Sequence, residues 1–244
     1  DHRDLHSFPT RRSSDLQKSL VSQKRKQRPL RILDAASKLM QHYGFDKTTM
    51  EDIAREAGVS KGALYLEWSS REALFEALFE NEMRKLLLDL RALIECAQDG
   101  SFANLYALTL VAMRRSPLIC ALYTRDGRIL GDFVHHQDPE RYVRRLLLSN
   151  ESVKNLQAQG LLRRDLAPDV ITHLFMVIAM GLLSISSVIP AEKSPDLDAT
   201  IHGIALMVQD GMALSNSKDG DLKQATLQLM DLMLSQYEEK NHEN

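Results

Sequence analysis

The chain is 244 residues long, 44% hydrophobic and 26% charged, with a formal net charge of −2, a balance that suits a globular protein with enough chain to bury one large or two modest cores. This excludes a collagen-like or disulfide-dense chain: Cys96 and Cys120 are the only cysteines, form no C-x-x-C pattern, and read as buried thiols of a reducing compartment. Charge is uneven along the chain, with 11 Lys and Arg against 7 acids in residues 17–75 and 17 against 23 in residues 76–244, so a polyanion partner would be met by the N-terminal part.

Residues 1–16, DHRDLHSFPTRRSSDL, resemble an in-frame translation of a common short-read sequencing adapter and are set aside as a non-native tag. Residues 17–28, with Lys24-Arg25-Lys26, read as a basic flexible arm. Nothing near the start joins a basic region to an apolar run as a signal peptide would, so the expected location is cytoplasmic.

From Pro29 onward the apolar residues recur at helical spacing almost everywhere, and sustained period-two alternation is missing. Ile32, Ala36, Leu39, Met40 and Tyr43 form the face of a first helix that begins near Pro29 and stops at Gly44. Thr48 with Glu51 reads as a capping box for a second helix, whose core face is Met50, Ile53, Ala54 and Ala57. Gly58-Val59 forms the turn, and Ser60 caps a short third helix through about Leu66. Ser69 with Glu72 reads as another capping box, opening a long helix with Phe75, Leu78, Phe79, Glu82/Met83, Leu86, Leu90, Leu93 and Ile94 on one face.

Beyond Gly100 the expected helices span about 102–115, 117–124, 139–159, 168–189, 196–213 and 221–238, separated by proline and glycine breaks. Leu174–Ile189 is nearly all apolar, but at 16 residues with three serines it is too short for a membrane span, which needs about 20 residues. No membrane partner is expected. The stretch reads as a helix buried on all sides, in which Gly181, Ser184 and Ser187 make a stripe of small residues for close helix packing, either at a dimer interface or inside the core.

Two short helices joined by Gly58-Val59 fit a helix-turn-helix, in which the first helix braces the second against the major groove of DNA, roughly 12 Å wide. The exposed N–H groups at the start of the second suit phosphate, and Lys61 adds a charge. Gly62 costs about 0.5–1 kcal/mol of helix stability relative to Ala but leaves room for close approach. Glycine-punctuated short helices also occur in all-α proteins that never meet DNA.

The run ILDAASKLMQHYGFDKTTMEDIAREAGVSKGALYLEWSSREALFEAL, Ile32 to Leu78, resembles the DNA-binding domain of TetR-family transcriptional regulators. The resemblance rests on Gly44-Phe45, Thr48-Thr49, Ile53-Ala54, Ala57-Gly58-Val59-Ser60, Lys61-Gly62, Leu64-Tyr65, the aromatic Trp68 and Arg71-Glu72-Ala73-Leu74, and covers about a fifth of the chain. It implies an all-α fold: a three-helix helix-turn-helix domain at 29–75, joined by a long helix to a helical effector-binding and dimerisation domain at 76–240. It also implies a homodimer that represses transcription from a double-stranded, pseudo-palindromic operator and is released by a small, largely apolar effector.

By position the resemblance puts Thr49 and Tyr65 on phosphates, Lys61, Gly62 and Ala63 in the groove, and Arg71 on the DNA backbone, with Arg28, Arg31, Thr48, Ser60 and Leu66 as neighbouring contacts. Leu66 and Glu67 depart from the aromatic or histidine pair frequent there. Glu67 must turn to solvent or oppose phosphate, which leaves open a helical dimeric ligand- or protein-binding module with weak DNA affinity.

Candidate pocket residues in the body are Phe102, Tyr106, Met113 and Tyr123, with Phe133, Phe175 and Met176; each could equally be ordinary core. His135-His136-Gln137-Asp138 has no i, i+4 partner and reads as a loop, and no nucleophile elbow or phosphate loop is present. Neither a metal, a cofactor nor enzyme chemistry is expected.

Overall fold

The computed structural model describes residues 11–134, 150–185, 188–213 and 219–242. The chain is all-α: within those residues the only β feature is an isolated antiparallel bridge between Leu162 and Ala213. The helices are α1 (Arg11–Tyr43), α2 (Met50–Glu56), α3 (Lys61–Tyr65), α4 (Arg71–Cys96), α5 (Phe102–Arg114), α6 (Pro117–Thr124), α7 (Gly127–Leu130), α8 (Asn150–Ala158), α9 (Pro168–Ser184), α10 (Leu197–Met212) and α11 (Asp219–His242).

Polar caps set most of these boundaries. The side chains of Ser60, Ser70, Ser101, Ser116 and Asp196 each accept a backbone N–H in the first turn that follows. Two caps differ by one residue from the sequence reading. Thr49, not Thr48, caps α2 by accepting from the Asp52 N–H, while the Thr48 hydroxyl is buried and donates to the Gly44 carbonyl at 2.7 Å. Ser70, not Ser69, caps α4 by accepting from the Ala73 N–H. In both dipeptides the two residues have equal capping ability; at 48–49 the burial of Thr48 leaves Thr49 to cap α2.

Helix α1 starts well before Pro29 and runs through it, where a flexible arm and a fresh start were expected. A proline removes one amide donor and crowds the preceding turn. The residues before it include no glycine and no second proline from Arg11 onward, and the helix continues across the single lost bond.

Two apolar cores share α4. The first, in the N-terminal head, gathers Ile32, Ala36 and Met40 of α1, Ile53 and Ala54 of α2, Leu64 of α3, and Leu74, Phe75, Leu78 and Phe79 of α4. The second, in the body, takes Met83, Leu86, Leu90 and Ile94 from the rest of α4 and packs them against α5, α8, α9, α10 and α11. The head core is not confined to residues 29–75, because Leu118, Ala121 and Leu122 of α6, Leu130 of α7 and Phe133 complete it. Glu82 is buried where the two cores meet, 3.2 Å from Lys85 Nζ, and Lys85 also reaches Asp34 of α1 at 2.9 Å.

Helix α9 is shorter than expected, ending at Ser184, and has two faces rather than all-round burial. Ile171, Thr172, Phe175, Ala179 and Leu182 point inward, while Val170, Val177, Gly181 and Ile185 are exposed. Ser184 is half-buried, and Ser187 lies outside the described residues. So does His135-His136-Gln137-Asp138.

Candidate nucleic-acid interface and interior cavity

Helix α3 is five residues long and is held from below. Leu64 is fully buried in the head core, and Trp68, whose N–H donates to the Leu64 carbonyl, packs half-buried against the same core. The opposite side is left to solvent: Ser60, Lys61, Gly62, Tyr65 and Leu66 are all exposed, and Ala63 is half-exposed. A Cβ on Gly62 would meet nothing within 4 Å, so the glycine leaves a gap in that face. Lys61 Nζ lies 3.7 Å from Glu51 with most of its side chain in solvent, a contact worth little in water. Thr49 is exposed beside α3, its hydroxyl donating to Asp52 at 2.5 Å. That bond, together with Arg55, holds the Asp52 carboxyl below the usual range.

Three expected contacts stand differently. Thr48 is buried and closes the α1–α2 turn, so its side chain offers no surface. Arg28 does not stand free for phosphate, because Nε donates to Glu67 at 2.8 Å and Nη2 reaches the same carboxylate oxygen. Arg71 lies over the Phe45 ring, 4.1 Å from its centroid, with Nη1 donating to the Phe45 carbonyl at 3.4 Å. It braces the start of α4 against the α1–α2 turn, with 31% of the side chain still accessible. Arg31 is exposed on α1.

Glu67 neither turns to solvent nor faces phosphate: it is half-buried in its pair with Arg28, thirty-nine positions away in sequence. The separation hides this partner from any local reading.

A cavity of about 140 Å³ lies in the body among α4, α5, α6, α8, α9 and α11. Phe102, Tyr106, Met113, Tyr123, Phe175 and Met176 all line it, as the sequence suggested. Phe133 does not: its ring stacks on Phe79 at 5.3 Å and contacts Phe45 and Phe75, all within the head core. Four hydroxyls in the lining are spent on backbone carbonyls: Thr109 donates to Leu105, Thr172 to Pro168 and Thr226 to Leu222, and Tyr106 to Phe175 at 3.4 Å. Burial pushes the Tyr106 phenol up, so it stays protonated. Among the described residues the lining includes no charged side chain. Thr226, Met230 and Met233 of α11 were missed by the sequence reading. Their only local signal was amphipathic periodicity, which core residues share.

Cys96 and Cys120 are free thiols, and burial pushes the Cys120 thiol up, which disfavours its reactive thiolate. Cys96 is exposed rather than buried as expected, and Cys120 is half-buried. No group of three or more metal-ligating side chains occurs among the described residues.

The signature of "Bacterial regulatory proteins, tetR family" matches residues 32–78, which span the end of α1, all of α2 and α3, and the start of α4. Residues 32–78 are a tetR-family domain. The A-factor receptor protein of Streptomyces griseus is 31% identical over 77 residues, 30% of this chain and 28% of that protein. The HTH-type transcriptional regulator SrpR of Pseudomonas putida is 23% identical over 72% of this chain and 80% of its own length. The chain spans under a third of the first two curated relatives it matches, 28% and 26% of their lengths. The likeness in fold also takes in the body. The transcriptional regulator FadR of Bacillus subtilis, solved with stearoyl-CoA, superposes with a TM-score of 0.56 at 16% identity, over 75% of this chain and 98% of that one.

Proposed function

We propose that the protein is a cytoplasmic, DNA-binding transcriptional regulator: a homodimeric repressor that binds a pseudo-palindromic operator and is released by a small, largely apolar effector. The observation that carries this reading is the face of α3. A tetR-family head buries Leu64 and Trp68 and turns Ser60, Lys61, Gly62 and Tyr65 outward on one rigid turn, the arrangement a helix needs to enter a major groove. The Arg28–Glu67 pair supports it, because the acid next to Leu66, which would have opposed phosphate, is paired with a cation. That pair also removes the feature which favoured a module without useful DNA affinity.

Dimerisation is supported by the outer faces of α9 and α10. Val177, Ile185, Leu206 and Met207 are all exposed, Met207 by 68%, and Gly181, four residues from both Val177 and Ile185, leaves open space. An apolar surface of this kind is costly to leave in water and suits a helix–helix seam. Release is supported by the position of the cavity, whose wall includes Leu87 and Leu90 of the same α4 that begins at Arg71 in the head. An effector need only favour one orientation of α4 over another to change the spacing of two heads, which must match successive grooves about 34–36 Å apart.

The test is selection of random duplex DNA by the purified full-length chain, followed by sequencing. Recovery of an inverted repeat is expected. Its affinity should fall with salt at a log–log slope of about −0.9 per phosphate contact. Recovery of nothing above background at low salt would overturn the reading.

A further inference from the structure

We infer that Leu66 reads sequence in the operator by packing against the 5-methyl group of a thymine; this rests on the DNA-binding reading proposed above. At 82% exposure Leu66 is the most exposed of the large apolar side chains among the described residues. It is not on a loose loop. Its N–H donates to the Gly62 carbonyl at 3.1 Å, continuing the helical turn, and nearby residues are pinned, Leu64 in the head core and Glu67 to Arg28.

Gly62 and Leu66, four apart, lie on one face of that turn. The glycine contributes no side chain, so the leucine isobutyl group forms a wall beside an open floor, with Tyr65 next to it and 45% exposed. Leu66 has no donor for a phosphate oxygen and no acceptor for a base amine. In a major groove the complementary group is the thymine methyl, the apolar mark that distinguishes T at the base edges. The neighbouring carboxylate would dehydrate poorly beside such a contact, and its pairing with Arg28 holds it away.

The experiment replaces thymine by deoxyuridine, one position at a time, in the operator recovered by selection, and measures Kd for the wild type and for Leu66→Ala. Deoxyuridine removes only the methyl group. At one thymine per half-site the wild type should lose about 3- to 5-fold per methyl removed, as expected for burying one such group. Leu66→Ala should bind the operator with no loss at that position, so that the double-mutant cycle places the coupling on this pair. The variant should fold normally because the side chain is so largely exposed; an unchanged melting temperature checks this.

A wild type indifferent to every deoxyuridine overturns the inference. So does a Leu66→Ala protein with the same deoxyuridine profile, and so does a uniform loss of affinity at all positions, which would mark Leu66 as packing on the sugar backbone. Each of these leaves the regulator reading intact, whereas failure to recover any operator sinks both.

Discussion

Gly44 and Gly62 are both glycines of the head, and they meet opposite demands. Gly44 has φ +80°, and a Cβ there would stand 2.5 Å from the Arg128 backbone oxygen, where the 127–133 segment docks on the α1–α2 turn. Gly44→Ala should therefore cost about 2 kcal/mol or more in chemical denaturation, from strain plus a backbone clash that no side-chain rotation relieves. Gly62→Ala meets nothing in the free protein and should raise stability by about 0.5–1 kcal/mol. Its operator affinity should fall at the same time, because the new methyl group occupies the gap on the DNA face; unchanged affinity would show that the gap is not used. Glu67→Gln releases Arg28 from its partner. Operator binding should tighten at low salt and its salt slope should steepen by up to about 0.9 per subunit, measured by titration across salt concentrations.

At the scale of elements, α4 and α6 belong to both cores, which ties the head to the body. Helix α6 gives Leu118, Ala121 and Leu122 to the head and Ile119 and Tyr123 to the body, with Tyr123 also on the cavity wall. A fragment ending at Ala97 keeps every helix of the tetR-family domain but loses Leu118, Leu122, Leu130 and Phe133 from its core. It should melt well below the intact chain or fail to fold, as followed by circular dichroism. The packing does not divide near residue 75, where the sequence placed a domain boundary. The same sharing explains how a ligand against Tyr123 and Leu90 could act on the head without touching it.

At the scale of the whole molecule, α9 and α10 leave large apolar side chains in solvent, Val177 at 52%, Leu206 at 48% and Met207 at 68%. Met207→Asp places a charge in the proposed seam on a residue already 68% exposed, so the monomer should fold as before. Sedimentation should then report a monomer where the wild type is a dimer, and operator affinity should drop steeply as the two half-sites lose their linkage. A wild type that sediments as a monomer would rule out this seam.

How much was legible in advance depended on how local the responsible physics is. Helical periodicity, serine caps and proline starts act within one or two turns, so the all-α class, the short α3 and the bounds of α6, Pro117–Thr124, could be read directly from the residues. The motif from Ile32 to Leu78 was legible through its resemblance to tetR-family sequence. The partner of Glu67, the assignment of Phe133 to the head rather than the cavity, the choice of Thr49 over Thr48 as a cap, and the two faces of α9 were not. Each depends on which distant side chain or solvent covers a residue, as when Arg28 meets Glu67 or Phe79 stacks on Phe133. Sequence by itself determined the all-helical class and where the polar caps and proline starts fall, because those choices are made by neighbours along the chain. Only the tertiary structure decided which faces are buried and which charges are paired, because those energies arise between groups that the chain brings together only on folding.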